Sequence, residues 1–294
     1  MTAKGAILTE RDLGVVADLY KYRYLSVSQI QRLHFPSQQT AYRRLRSLIS
    51  LGLIAKFLAP HVPEHIYHLE QKGAELVAST LGVGLADLKW TRGNKAPKDY
   101  YFLRHFLLTN DFRIALTEGC SKSELKLAGF IPEYFGEKVS SGGVVKYIRD
   151  VVCDLHDPKV KLSHTPDGVF ALTKGSTPAL FFLEIDRGTE VISDLEKGVL
   201  KCIRFYLDYL LSAGYKRYQQ DFSCGEFRGF RALVATSSRQ RVLNIREAVR
   251  ALPHDPRAKR FIWLSEFSLI NAQTIFQPLW LSADADDQAI YQNG

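Results

Sequence analysis

Between Thr9 and Gly52 the sequence carries three helix starts in succession, and this run limits the possible fold more than any other feature. Thr9-Glu10-Arg11-Asp12 sets a capping hydroxyl three residues before an acid, although the strict form of the motif has Glu or Gln there. Leu13, Val16, Ala17 and Tyr20 then fall on one helical face. Ser26-Val27-Ser28-Gln29 is a full capping box, followed by Ile30 and Leu33. Pro36 and Ser37 break and restart the chain. The third helix is expected from about Gln38 to Leu51, with Gly52 as a left-handed stop. Its inward stripe is Ala41, Leu45, Leu48 and Ile49; Gln38, Gln39, Tyr42, Arg43, Arg46 and Ser50 face outward.

Any surface helix has a polar face, so the face alone does not assign a function. Its chemistry does suit the major groove, because Arg bonds guanine N7 and O6 together and Gln does the same to adenine N6 and N7. Ser and Tyr reach phosphate and fix register. The continuation is more telling. Residues 53–59 read as a strand, 60–63 as a turn, 65–69 as a returning strand and 70–81 as a further helix. Three helices and a two-stranded wing make a winged helix-turn-helix, a unit that reads double-stranded DNA. Arg44 and Lys56 are then expected at phosphates. Charge agrees: residues 1–100 hold 14 Lys/Arg against 8 Asp/Glu, whereas residues 101–294 hold 25 against 23. Most of the net charge of +8 therefore lies in the first third.

No apolar run approaches the roughly 18 residues that cross a bilayer, and the N-terminus has no signal-like apolar region. A cytoplasmic protein without a membrane partner is expected. Cys120, Cys153, Cys202 and Cys224 form no CxxC pair and read as reduced thiols. His61, His65 and His68 cluster in the expected hairpin with no cysteine nearby, which argues against zinc there.

Residues 82–99 mix Gly, Pro and charge without period, so they read as a linker between a domain at 1–81 and one at 100–281; residues 282–294 read as a polar tail. A long helix is expected over about Asp99–Glu118, with Asn110 in its apolar stripe as a satisfied core amide. Strand patterns follow at 127–132, 144–153, 167–172 and 179–186, the last two as an antiparallel hairpin. Then come a helix at 191–212 with Leu195 inward, a strand at 230–235, a helix at 239–252 and a strand at 261–264. That order fits an α/β domain around one mixed sheet.

Asp167 opens one hairpin strand and Glu184-Ile185-Asp186 ends the other. Pairing would bring Asp167 and Glu184 to one rim, where two carboxylates can hold Mg²⁺ or Mn²⁺ for phosphodiester cleavage. The usual lysine two residues after the Glu is replaced by Asp186; Lys201, or less well Lys197, would have to supply the charge from the next helix. The alternative is a turn residue at Asp167 and a plain ion-pair network at Glu184, Asp186 and Arg187.

With these blocks in place the chain resembles the replication-relaxation family of plasmids and integrated mobile elements. The resemblance rests on residues 25–35 and 40–54 in the first domain. In the second it rests on 104–116, 165–172 and 181–190, the last reading FFLEIDRGTE. It implies a winged helix-turn-helix followed by a domain like the PD-(D/E)xK nucleases, an α+β or α/β two-domain chain. It also implies work in replication, DNA relaxation or mobilisation. The nuclease motif carries over as Asp167, Glu184 and, in the lysine's place, Asp186. The leading expectation is a DNA-binding protein, a homodimer, needing no cofactor to bind, working beside plasmid replication or mobilisation proteins. The alternatives are a Mg²⁺- or Mn²⁺-dependent endonuclease or nickase using Asp167 and Glu184, and a transcriptional repressor of the element.

Overall fold

Reciprocal hydrogen bonds start the first helix. Thr9 N and Oγ1 both donate to Asp12 Oδ2 at 2.7 Å, so Asp12 closes the capping box that Glu or Gln ordinarily closes. The structure is a computed structural model and describes residues 7–60, 62–88, 90, 100–138, 144–155, 157–189, 191–192, 194, 198–286 and 288–290. His61, Leu195, Lys197 and the 91–99 stretch of the expected linker lie outside the described residues. The chain divides into two units between Ile114 and Ala115.

The first unit runs α1 (Glu10–Tyr22), β1 (Tyr24–Ser26), α2 (Val27–His34), α3 (Gln38–Ser50), β2 (Ile54–Phe57), β3 (Ile66–Leu69) and α4 (Gln71–Leu81). It also takes in the start of α5 (Tyr100–Cys120). Ser26 caps α2 through its expected box with Gln29, and Ser37 caps α3. Gly52, at φ +73°, lets the chain leave α3 and enter β2, a conformation that costs other residues a Cβ clash. β1, β3 and β2 form an antiparallel sheet in that order. β1 is only three residues long and has no period of its own, so the sequence does not announce it.

Ala41, Leu45 and Leu48 turn α3 into a core with Val15, Val16, Leu19, Ile30, Ile54 and Tyr67. Leu88 enters the same core, so the start of the expected linker is part of this unit. The expected domain start at residue 100 likewise shifts, because α5 is tied in through its side chains. Asn110 Nδ2 donates to Tyr24 O at 2.8 Å and Tyr22 O at 3.2 Å, and Gln29 Nε2 to Leu107 O at 2.8 Å.

The second unit contains β4 (Lys126–Pro132), β5 (Gly136–Lys138), β6 (Val144–Lys146), β7 (Asp150–Cys153), β8 (Lys161–His164), β9 (Gly168–Lys174) and β10 (Thr177–Asp186). α6 (Val199–Ser212), α7 (Tyr218–Phe222), β11 (Phe230–Thr236), α8 (Arg239–Ala251), α9 (Pro256–Lys259) and β12 (Ile262–Glu266) follow. Five strands form a mixed sheet in the order β12-β11-β10-β9-β4. β4, β9 and β10 are antiparallel neighbours, and β10, β11 and β12 run parallel. The β9–β10 hairpin pairs Leu183 with Gly168 and turns at Gly175, as the sequence predicts.

Three expectations change. Residues 144–153 form two short strands rather than one, separated by a turn. The helix expected from 191 begins at Val199, after Gly198 at φ +78° interrupts it; Val191 is exposed. The described part of the expected polar tail packs: Gln288 and Trp280 exchange backbone bonds of 2.7 Å and 3.1 Å, and Ile290 is buried. The β7–β8 hairpin, unannounced in its second strand, is held on α6 and α7. Arg204 Nη2 reaches Asp154 Oδ2 at 2.7 Å and Tyr218 Oη donates to Asp150 Oδ2 at 2.7 Å.

Asp12 is fully buried and also accepts from Arg44 Nε and Nη2 of α3. Burial alone would raise its pKa. The bonds from Arg44 and Thr9 outweigh burial and hold it at about 2, below the ordinary 3.8. A carboxylate depressed by folding adds stability above the unfolded pKa and loses it as pH falls through the folded one. The depression corresponds to about 2 kcal/mol. Asp12→Asn is therefore expected to cost roughly 1–2 kcal/mol at pH 7, read as faster amide exchange in α1 and α3 of the full chain. The parent's protection should fall between pH 4 and 2 and the variant's change less; equal exchange at pH 7 would remove the pair from the account.

Candidate functional site

Two regions gather the residues that the sequence singles out. On α3, Gln39, Arg43, Arg46 and Ser50 are exposed along one side, opposite buried Ala41, Leu45 and Leu48. Spacings of three and four residues stack those four into a single ridge along a helix of 13 residues, about 20 Å long. No carboxylate pairs with Arg43 or Arg46 among the described residues. Tyr42 is half-buried near Tyr67 of β3, whose hydroxyl is pushed up to about 12 by burial first and Tyr42 second, against the opposing charge of Arg46. Lys56 is exposed on β2 at the position paired with Tyr67.

Two members of the expected set are engaged elsewhere. Arg44 turns inward to Asp12, so its guanidinium holds α3 against α1 instead of standing free for phosphate. Gln38 Nε2 donates to Ser28 Oγ at 3.1 Å and ties the start of α3 to the start of α2.

The second region is the rim where β9 begins and β10 ends. Asp167 is buried; its N–H donates to Leu183 O at 3.0 Å and its Oδ2 accepts from Ile185 N at 2.7 Å. Gly168 follows because a Cβ there would stand 2.4 Å from the Phe130 ring. Glu184 Oε1 accepts from His164 Nε2 at 2.7 Å and from the Tyr206 hydroxyl. Burial raises the Glu184 pKa, with His164 opposing and Asp167 adding to the rise. For His164, burial alone would lower the pKa, but the charge and hydrogen bond of Glu184 prevail and raise it. Burial and the neighbouring Glu184 carboxylate push the Tyr206 hydroxyl well above its ordinary range. Asp167 and Glu184 thus lie close enough to feel each other's charge, as strand pairing predicts.

Asp186, at the position of the motif lysine, goes to a different partner set. Arg241 Nη2 and Thr236 Oγ1 reach its two oxygens at 2.9 Å and 2.7 Å. Lys201 is exposed on α6, and its charge opposes the rise in the His164 pKa. Lys146 of β6 pairs with Glu133; burial lowers its pKa, against the opposing charge of Asp167.

The arrangement does not suit a hard divalent ion at Asp167 and Glu184. Mg²⁺ wants near-octahedral oxygen ligands and several waters. Here the Glu184 oxygen faces an imidazole nitrogen and a phenol, Asp167 Oδ2 is bound to backbone, and Asp186 is closed by Arg241. No cleavage step follows from these residues.

Sequence reading missed His164, Tyr206, Arg241 and Lys146. His164 lies three residues before Asp167 and could have been noticed beside the Asp-Gly pair. Arg241 has no local signal. It arrives because β10 and β11 pair in parallel, setting Asp186 opposite Thr236, from which the chain turns straight into α8.

No helix among the described residues is long and apolar enough to cross a membrane. No curated protein matches the chain. The family model described as replication-relaxation matches residues 16–222, from within α1 to the end of α7, and so spans the α3 ridge, the β9–β10 rim and α6. The chain belongs to the replication-relaxation family.

Proposed function

We propose that this chain is a sequence-preferring double-stranded DNA-binding protein, acting in replication, relaxation or mobilisation of a plasmid or integrated element. Family membership supports that setting, since it suggests a role in the replication or relaxation of mobile elements. The DNA-reading part is the N-terminal unit, taken as a winged helix-turn-helix. α3 enters the major groove, and β2 and β3 form the wing over the adjacent backbone.

One observation carries the reading. α3 presents Gln39, Arg43, Arg46 and Ser50 as an exposed ridge, with neither arginine paired to a carboxylate among the described residues. A groove about 12 Å wide admits such a helix, and a guanidinium there can bond a guanine edge with two hydrogen bonds. Lys56 on the wing supplies a phosphate contact without base preference. The sheet unit contributes no reaction step in this reading; its rim carboxylates are held in ion pairs and hydrogen bonds.

Arg43→Ala or Arg46→Ala is expected to weaken binding to the preferred duplex by about 1–3 kcal/mol and to relax base preference. Lys56→Ala should weaken binding to every duplex alike and lower the salt slope by about one unit. Fluorescence anisotropy over a range of salt concentrations measures both. Arginine variants that bind all duplexes as the parent does would refute the assignment of α3.

The full chain is also expected to leave supercoiled plasmid intact with Mg²⁺ or Mn²⁺. Nicking that disappears in both Asp167→Asn and Glu184→Gln would replace this reading of the rim with a nuclease.

A further inference from the structure

We propose that His164, Glu184 and Cys202 form a binding site for a divalent ion of the zinc class. The three residues come from the end of β8, from β10 and from the first turn of α6. Their ligand atoms, one from each side chain, all lie within 4.8 Å of one another. A tetrahedral zinc ion with nitrogen, oxygen and sulfur ligands needs those atoms about 3–4 Å apart. His164 Nε2 and Glu184 Oε1, now 2.7 Å apart, need only spread slightly to admit it.

The donor set selects the ion. Imidazole and thiolate favour zinc and its neighbours and have little affinity for magnesium, so the features that disfavour a hard ion here favour a softer one. Three protein ligands also leave a fourth position for water. The surroundings are those of an oriented site. Tyr206 donates to Glu184, and the imidazole is flanked by the rings of Phe205 and Tyr206, with centroids 5.5 Å and 5.4 Å away. The side chains of His164 and Glu184 keep 19% and 12% exposure, which leaves the ion a way in, while Cys202 closes the inner side.

Binding is a proton exchange. The Cys202 thiol donates to Val199 O at 3.0 Å. The ion replaces that proton and the one His164 shares with Glu184, and both pass to solvent. The site belongs wholly to the second unit and does not depend on DNA reading by the first.

Cobalt titration of the chelator-treated full chain tests this. One equivalent of Co²⁺ is expected to produce a thiolate-to-cobalt charge-transfer band and the visible absorption of four-coordinate cobalt. Zn²⁺ should abolish both, and excess Mg²⁺ should not. Cys202→Ser should lose the charge-transfer band, and His164→Gln should weaken binding at least tenfold. Circular dichroism confirms that each variant is folded. If Cys202→Ser does not fold, Glu184→Gln replaces it and is expected to show at least tenfold weaker binding. A parent chain without the band overturns the site, as does an undiminished band in Cys202→Ser or parent-like affinity in Glu184→Gln.

Discussion

The orientation of α3 depends on one buried carboxylate. Asp12 caps its own helix through Thr9 and then takes the guanidinium of Arg44 from α3. Removing Arg44 leaves the buried Asp12 carboxylate without its ion-pair partner, a loss that costs more than an intact pair contributes. The geometric consequence matters most for function. Successive residues of a helix point about 100° apart, so drawing Arg44 onto α1 turns Arg43 and Arg46 away from the protein. Two adjacent arginines of identical chemistry are thereby turned apart, Arg44 onto α1 and Arg43 to the exposed side.

A similar division occurs on β10. Glu184 and Asp186 share a face, two residues apart, yet they belong to separate networks. Glu184 meets His164 and Tyr206, and Asp186 meets Thr236 and Arg241. The parallel pairing with β11 produces the second set, since it delivers the start of α8 to the end of β10. A lysine at position 186 would face Arg241 with like charge, so the acid at that position and the arginine on α8 are mutually consistent. The rim is therefore coherent as a set of compensated charges, and its corner of imidazole, carboxylate and thiol at His164, Glu184 and Cys202 is chemically distinct from the Asp186–Arg241 pair.

Much of the first unit was legible from sequence because its signals are local. Ser26 with Gln29, the stripe Ala41–Leu45–Leu48 and the stop at Gly52 each act within one or two turns of helix. The β9–β10 hairpin was legible for the same reason, and with it the meeting of Asp167 and Glu184. Pairings across long sequence separations were not. β1 exists through its bonds to β3, some forty residues on, and β8 through the surface of α6. Arg44 was expected at phosphate, since no local rule tells that a buried aspartate on another helix will take it. The helix expected from Val191 failed at Gly198, where apolar spacing was read through a residue with positive φ.

The most direct measurement of the central claim is an amide NMR titration of the labelled full chain with a short DNA duplex at low salt. The account predicts shift changes concentrated at residues 38–50 and along β2 and β3, with Asp12 and the rest of α1 little affected. Changes confined to residues beyond 115, or none at all at saturating duplex, would contradict it.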